Sequence, residues 1–434
     1  MRLSMRQPVR PGHRVPVAGA ILALAVSVIT AACSAGPHGA DSAGSPRAHV
    51  SKAASASSVS ISPANGSRAA DPSAGISVTA AHGTLRSITV RTAGGAVPGS
   101  FAQDRTAWHS DWTLNVGQHY TVTATATATR PGGGTMTVTS AFRTLTPRLT
   151  FQTQIFEGYQ QTYGVGMPIM LAFSRPITDK AAVERALEVR TSRQVVGAWS
   201  WDGDEHLAFR PRDYWPAGTT VSFIGHLDGV LGAPGVYGTY LLTQTFRIGP
   251  SLIAIANTAK HRTQIYYNGK LRYNWPISTG RPGDWTPDGS YLTIEKHNPV
   301  RMIGPGYNLL VPWSVRFTFS GDYYHDAYWS VSEQGFTNVS HGCVNLSPAH
   351  AKTYYQMAVP GDPITVINSP KAGTWDDGWT EWFLSWPQYL KGSALGKAVI
   401  AGPSGSTFVS PSSLPASAAS APLQTAPPGN ASAS

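Results

Sequence analysis

The 434-residue chain has few charged residues and almost no cysteine. Charged residues make up only 13%, while Gly, Pro and aromatic residues are plentiful, a balance that favours short strands and turns over long helices. The formal net charge is +10. No concentrated basic run with interleaved aromatic residues is present, which argues against nucleic acid as a partner. Acidic lipid and anionic bacterial wall polymers remain as surfaces that such a chain would attract.

The N-terminus has the features of an export signal. Four arginines and no acidic residue occur between residues 2 and 14, and the apolar run 17–29 that follows is too short to span a bilayer comfortably. Small residues precede Cys33, as in the box of bacterial lipoproteins, although Thr30 replaces the expected aliphatic residue. We therefore predict a lipoprotein-type signal peptide over 1–33, with Cys33 diacylated at the outer face of the cytoplasmic membrane. Simple secretion with cleavage nearby is the alternative.

Acylation of Cys33 would leave Cys343, the only other cysteine, without a disulfide partner. An unpaired thiol is a liability in an oxidising compartment. Cys343 is therefore expected to have a function that justifies its presence.

Two segments have the composition of disordered chain. Residues 34–75 are rich in Ala, Ser, Gly and Pro and are predicted to form a linker that lets the folded part reach into the wall. Residues 394–434 are similar and are predicted to be a disordered tail.

The region between them predicts a mainly β protein. Residues 76–147 and 148–250 each show short alternating strands punctuated by turns, which predicts two immunoglobulin-like β-sandwich modules. A single long sandwich is less consistent with the Pro-bearing boundary between them. Residues 251–370 begin a new sheet and are predicted to form a β-rich third domain.

Residues 371–393 are rich in tryptophan. Trp379 and Phe383, like Trp382 and Trp386, are spaced as on one helix face, which favours a helical cap packed on a neighbouring domain. An exposed surface that stacks on carbohydrate is the alternative.

Cys343 lies in a sequence that suits nucleophilic catalysis. His341 and His325 are the histidines able to activate its thiol, since the thiolate is the reactive form. Gly342 permits a tight turn whose N–H groups would point at a carbonyl oxygen under attack. Spacing alone leaves two alternatives open, an inert packed cysteine and a zinc site made of His325, His341 and Cys343.

The motif itself resembles that of a known family. His325, fifteen intervening residues and then His341-Gly342-Cys343-Val344-Asn345, preceded by Ser340, resemble the signature of L,D-transpeptidases with a YkuD-type catalytic domain. Matching pieces are Trp329-Ser330, 278–280 and 286–289. The tandem immunoglobulin-like modules and the Trp-rich end resemble actinobacterial members, so the resemblance covers about residues 76–390.

The resemblance implies a role for each motif residue. Cys343 would be the nucleophile and His325 its base, oriented by the main-chain carbonyl of Asp326, and we expect the ring of His325 to hold the sulfur as an accessible thiolate. The remaining implied roles are as follows: Tyr307 and the N–H groups around Cys343 form the oxyanion hole, Ser340, His341 and Gly342 build the turn, Asn345 fixes it, and Trp329 lines the entrance.

The implied reaction is acyl transfer on peptidoglycan. Cys343 would take the third residue of a tetrapeptide stem, release D-alanine and pass the acyl group to a diamino acid of a second stem, forming a 3-3 cross-link without cofactor or metal. Carbapenem-type β-lactams would acylate the same thiol. Three alternatives remain open: an L,D-carboxypeptidase, an enzyme that attaches protein to the wall, and a non-catalytic wall-binding module.

Overall fold

The computed structural model describes residues 57–129, 134–304 and 306–414 and confirms a mainly β protein. Within these residues no helix is long and apolar enough to cross a membrane. The strands form three β-rich modules in chain order. The signal peptide, Cys33 and most of the predicted linker lie outside the described residues.

Module 1 is a two-sheet sandwich that begins earlier than predicted. Its strands are β1 (Ser58–Ser62), β2 (Ser77–Ala81), β3 (Gly83–Thr92), β4 (Gly95–Ala96), β5 (Gly99–Phe101), β6 (Ala107–Ser110), β7 (His119–Ala128) and β8 (Thr135–Arg143), in the orders β1-β2-β6-β5 and β4-β3-β7-β8. The linker prediction is wrong from residue 58 onward. Val59 and Ile61 alternate with serines and pack on the core, so β1 pairs with β2, and a 3-10 turn follows at Pro72–Ala74.

Module 2 is a second sandwich. Its strands are β9 (Leu149–Thr150), β10 (Thr153–Ile155), β11 (Thr162–Tyr163), β12 (Ile169–Phe173), β13 (Leu187–Thr191), β14 (Val195–Asp202), β15 (His206–Pro211), β16 (Thr220–His226), β17 (Leu231–Ala233), β18 (Val236–Tyr237) and β19 (Leu241–Ile248), with helix α1 at Lys180–Arg185. It meets module 1 through Asp228, whose carboxylate accepts from the Val116 N–H at 3.0 Å. Trp112 also stacks on His226 at 3.6 Å.

The third module contains two sheets around a core of its own. Its strands are β20 (Leu252–Asn257), β21 (Arg262–Tyr267), β22 (Lys270–Pro276), β23 (Gly289–Leu292), β24 (Glu295–His297), β25 (Val300–Gly304), β26 (Tyr307–Val311), β27 (Ser314–Arg316), β28 (Tyr323–Asp326), β29 (Val344–Leu346) and β30 (Pro363–Ile367), with helix α2 at Pro348–Met357. The sheet orders are β22-β21-β20-β30-β23 and β24-β27-β28-β29, and β25 and β26 form a separate hairpin.

The Trp-rich segment packs against module 2, as the capping interpretation predicts. Trp379 is buried in the module 2 core, and the Trp382 indole N–H donates to the Gly166 carbonyl at 2.8 Å. The Trp-rich segment contains little helix: a 3-10 turn at Glu381–Phe383 and helix α3 at Trp386–Leu390.

The predicted disordered tail instead returns to module 2. Strands β31 (Ala398–Gly402) and β32 (Gly405–Val409) extend the sheet to β10-β12-β15-β14-β31-β32, and a 3-10 turn follows at Pro411–Ser413. Val399 and Ala401 are buried in the same core, which explains why this small-residue sequence is ordered. The composition of the tail does not reveal that Val399 and Ala401 lie on one face of a strand.

The buried carboxylate of Glu184 fastens this returning segment. It accepts hydrogen bonds from Trp201 Nε1 at 2.8 Å, Ser393 Oγ at 2.8 Å and the Ala394 N–H at 2.6 Å. Hydrogen bonds to a charged acceptor are the stronger kind. Glu184 therefore links α1, β14 and the chain beyond the third module.

We expect Glu184→Ala to lower the free energy of unfolding by about 1–3 kcal/mol, because the partly buried donors of Trp201, Ser393 and Ala394 lose their buried acceptor. Urea unfolding followed by tryptophan fluorescence measures the change. Glu205→Ala is the matched control, since the Glu205 side chain is exposed, and should change stability by less than about 0.5 kcal/mol. Equal losses in the two variants would contradict the anchoring role.

Candidate active site

The pairing of two short strands brings the sequence motif together. In the parallel pair β28–β29, His325 lies opposite Asn345. Cys343 precedes Asn345 by two residues, so its side chain is expected on the same face as His325. Both residues line one cavity of about 360 Å³. His325 and Cys343 are eighteen residues apart in sequence, and strand pairing brings them to the same cavity.

His325 is oriented by the main chain. Its Nδ1 lies 2.8 Å from the carbonyl oxygen of Asp326, an acceptor, so Nδ1 carries the proton and Nε2 is left as the basic nitrogen. The ring is buried, and burial lowers the pKa of His325 to about 4. The imidazole is therefore neutral at pH 7 and able to accept a proton.

Cys343 carries a neutral thiol in the free protein. Its Sγ lies 3.8 Å from the Gly321 carbonyl oxygen, to which it donates. Burial, and then the nearby carboxyl of Asp322, raise the pKa of Cys343 to about 12. Desolvation thus favours the neutral thiol over the expected thiolate in the free protein. Proton removal by His325 has to accompany attack.

The turn that presents Cys343 requires glycine at 342. Gly342 has φ +128°, and a Cβ there would lie 2.2 Å from Asp322 Oδ1. Ser340 Oγ accepts from the Gly342 N–H at 3.2 Å and donates to the Cys343 carbonyl at 2.6 Å. Thr286 Oγ1 donates to the Gly342 carbonyl at 2.6 Å. The turn is therefore fixed before any substrate arrives.

Aromatic rings form the rim of the cavity. Trp329 is 44% exposed, and its ring centroid lies 5.8 Å from that of His325. Tyr307, on β26, lies with its ring 5.1 Å from that of His341. His341 Nε2 in turn accepts from Arg281 Nη2 at 2.8 Å. An extended peptide entering the cavity would contact these rings.

Asn345 secures the strand rather than the turn. Its main chain exchanges hydrogen bonds with Ser278 at 2.8 and 3.3 Å, and its Nδ2 donates to Ser330 Oγ at 2.9 Å. Among the described residues no group of three His, Cys, Asp or Glu side chains is placed to hold a metal ion. The zinc alternative for His325, His341 and Cys343 therefore has no support in the geometry.

Sequence reasoning missed Asp322 and Arg281. Asp322 is buried against the motif glycine, and burial raises its pKa to about 6. Arg281 forms an ion pair with Asp284 at 2.8 Å while it contacts His341. Neither residue belongs to a spacing pattern, so only the folded register reveals their proximity to the motif.

Comparison with known proteins identifies two family models in the chain. The family model described as the L,D-transpeptidase catalytic domain matches residues 251–366, and the Bacterial Ig domain model matches residues 67–231. A solved L,D-transpeptidase structure in complex with imipenem is 34% identical and covers 51% of this chain and 100% of that chain, with a TM-score of 0.44.

Two curated relatives from Mycobacterium tuberculosis match over most of their length. L,D-transpeptidase 5 is 34% identical over 77% of this chain and 76% of that protein. L,D-transpeptidase 2 is 31% identical over 74% of this chain and 80% of that protein. With this identity and coverage added to the site geometry, the chain belongs to the L,D-transpeptidase family.

Proposed function

We propose that this protein is a cysteine-dependent L,D-transpeptidase that forms 3-3 cross-links between peptidoglycan stem peptides. The observation that carries the proposal is the shared cavity of His325 and Cys343, with Nδ1 of the imidazole held by the Asp326 carbonyl. That arrangement leaves one basic nitrogen for the reaction. Family membership supplies the substrate class.

The first half-reaction forms a thioester. The Cys343 sulfur attacks the carbonyl carbon of the third stem residue while His325 Nε2 takes the thiol proton. The C–N bond to D-alanine then breaks, and His325 returns the proton to the departing amine. The N–H groups around Cys343 and the Tyr307 hydroxyl are proposed to stabilise the negative oxygen of the intermediate.

The second half-reaction transfers the acyl group. The side-chain amine of a diamino acid on another stem attacks the thioester carbonyl, the C–S bond breaks, and the amine proton passes through His325 to the sulfur. An amide between two third residues and a free thiol result. The rim formed by Trp329, Tyr307 and His341 is proposed to hold the stem peptides and to restrict competing water.

The same thiol is proposed to react with carbapenem-type β-lactams. The support is the imipenem complex of the 34% identical L,D-transpeptidase and the half-buried thiol at a cavity wall. The place of action is proposed to be the cell envelope, with the folded modules reaching into the wall. Attachment through a lipid on Cys33 is part of this proposal and rests on the signal sequence alone.

Incubation with tetrapeptide muropeptides, followed by mass spectrometry, tests the reaction. We expect a cross-linked dimer that has lost one D-alanine. Cys343→Ala should lower product formation by more than about 10³-fold, because no thioester can form, while its circular dichroism spectrum stays unchanged. A tripeptide without dimer would instead identify an L,D-carboxypeptidase, and intact tetrapeptide from the native chain would favour a wall-binding module.

The pH dependence of alkylation tests the neutral thiol. With a pKa of about 12, Cys343 should react with iodoacetamide about tenfold faster for each unit of pH between about pH 6 and 9, because the thiolate fraction rises throughout. Cys343→Ala provides the background rate. A rate that levels off below pH 7 would contradict the neutral pair and indicate a thiolate beside a protonated imidazole.

Gly342→Ala should reduce the cross-linking rate by more than about 100-fold, because the added methyl meets Asp322 at a backbone angle that disfavours side chains. Gly283→Ala is the matched control, since Gly283 has φ +96° with open space around it. Asp322→Ala in the Gly342→Ala background should restore part of the rate. No recovery would show that backbone strain, rather than the contact with Asp322, causes the loss.

A further inference from the structure

A second concavity lies on module 1 and shares no lining residue with the catalytic cavity. It is a groove of about 750 Å³ bordered by residues 66–69 and by the ends of β7 and β8. Residues 66–70 run along the edge of β8: the Arg143 N–H donates to the Ser67 carbonyl at 2.7 Å, and the Ala70 N–H donates to the Arg143 carbonyl at 2.9 Å. The groove wall is therefore fixed by main-chain pairing.

Basic side chains line this groove in a row. His119 lies directly opposite Arg143 in the β7–β8 pair, and Arg68 lies on the segment paired with the other edge of β8. Neighbouring strands are about 4.8 Å apart, so the row crosses β7, β8 and the paired segment 66–70 at roughly that interval. Tyr120 and Phe142, which alternate with these residues along β7 and β8, are buried and stack with ring centroids 5.5 Å apart, whereas His119 and Arg143 are exposed.

The basic row has no counter-ion among the described residues. No Asp or Glu lines the groove. Within the same part of the chain, Arg68, His119 and Arg143 make neither an ion pair nor a side-chain hydrogen bond with the residues around them. The guanidinium groups of Arg68 and Arg143, which lie on neighbouring segments, repel one another. An anion from outside the chain would remove that repulsion.

We propose that this groove binds a phosphodiester-linked anionic polymer of the cell wall. Each guanidinium group presents several N–H donors that match phosphate oxygens, and the hydroxyls of Ser67, Thr121 and Thr146 along the groove add further donors. A polymer with regularly repeated phosphates engages both guanidinium groups at once, which an isolated anion does not. Outside the predicted signal peptide, which carries four arginines and no acidic residue, the formal net charge is still positive and favours the encounter.

The residues that line the groove suit an anionic polymer better than a lipid bilayer or a neutral sugar. None of the exposed large apolar side chains of the described residues belongs to the groove, whereas binding to a bilayer surface normally inserts such side chains. Tyr120 and Phe142 expose only 2% and 3% of their surface, so the groove offers no aromatic platform for a neutral sugar. Module 1 would thus hold the enzyme on an anionic wall polymer while the third module reacts with stems.

Calorimetric titration of the purified full-length protein with poly(glycerol phosphate) tests the proposal. Arg68→Gln with Arg143→Gln should weaken binding about tenfold and flatten its salt dependence, because two phosphate contacts are lost. Lys260→Gln with Lys270→Gln is the matched control: it removes the same charge from exposed positions of the third module and should leave the dissociation constant within about twofold.

Three results would overturn the proposal. The first is equal weakening of polymer binding in the control variant, which would indicate an effect of overall charge alone. The second is tighter binding to phosphatidylglycerol vesicles than to the polymer. The third is no binding of the polymer by the native chain. Cross-linking of soluble muropeptides should be the same in the native chain and both variants, since short stems do not reach module 1. Polymer binding therefore tests the groove, and cross-linking of soluble muropeptides tests the proposed catalysis independently.

Discussion

The parallel pairing of β28 with β29 is the constraint on which the site depends. It places His325 opposite Asn345, two residues after Cys343, and both His325 and Cys343 line one cavity. A shift of one residue in this register would turn His325 or Cys343 to the other face of the sheet. Hydrogen bonds between Asn345 and both Ser278 and Ser330 hold β29 in this register. Strand pairing thus sets the position of His325, and the hydrogen-bonded turn directly before β29 sets that of Cys343.

Burial then sets the charge state of the pair. Desolvation lowers the pKa of His325 to about 4 and raises that of Cys343 to about 12, so both groups are neutral in the resting protein. Asp322, packed under the motif glycine, adds to the second effect. A neutral thiol is less open to oxidation than a thiolate, which suits an exported protein. Its reactivity has to come from proton transfer to His325 when a carbonyl group is in place.

The modules around the site form a connected support. Asp228 ties module 1 to module 2, and Trp382 ties the segment after the catalytic module to Gly166. Beyond that segment, β31 and β32 complete a sheet of module 2, with Glu184 holding the connection. The catalytic module is thus inserted between two parts of one sandwich. Its orientation toward module 2 is set at both of its ends.

The sequence by itself determined the mainly β character, the order of the modules and the motif residues His325 and Cys343, which share one cavity. Alternation of apolar residues and the His325 to Cys343 motif are local signals, readable without coordinates. Tertiary structure decided the rest. Residues 58–62 are ordered by pairing with β2, and residues 398–409 by pairing with the distant strand β14; composition does not reveal either pairing. The neutral thiol and the contact of Asp322 with Gly342 also depend on the fold, since desolvation and register exist only once the strands have packed.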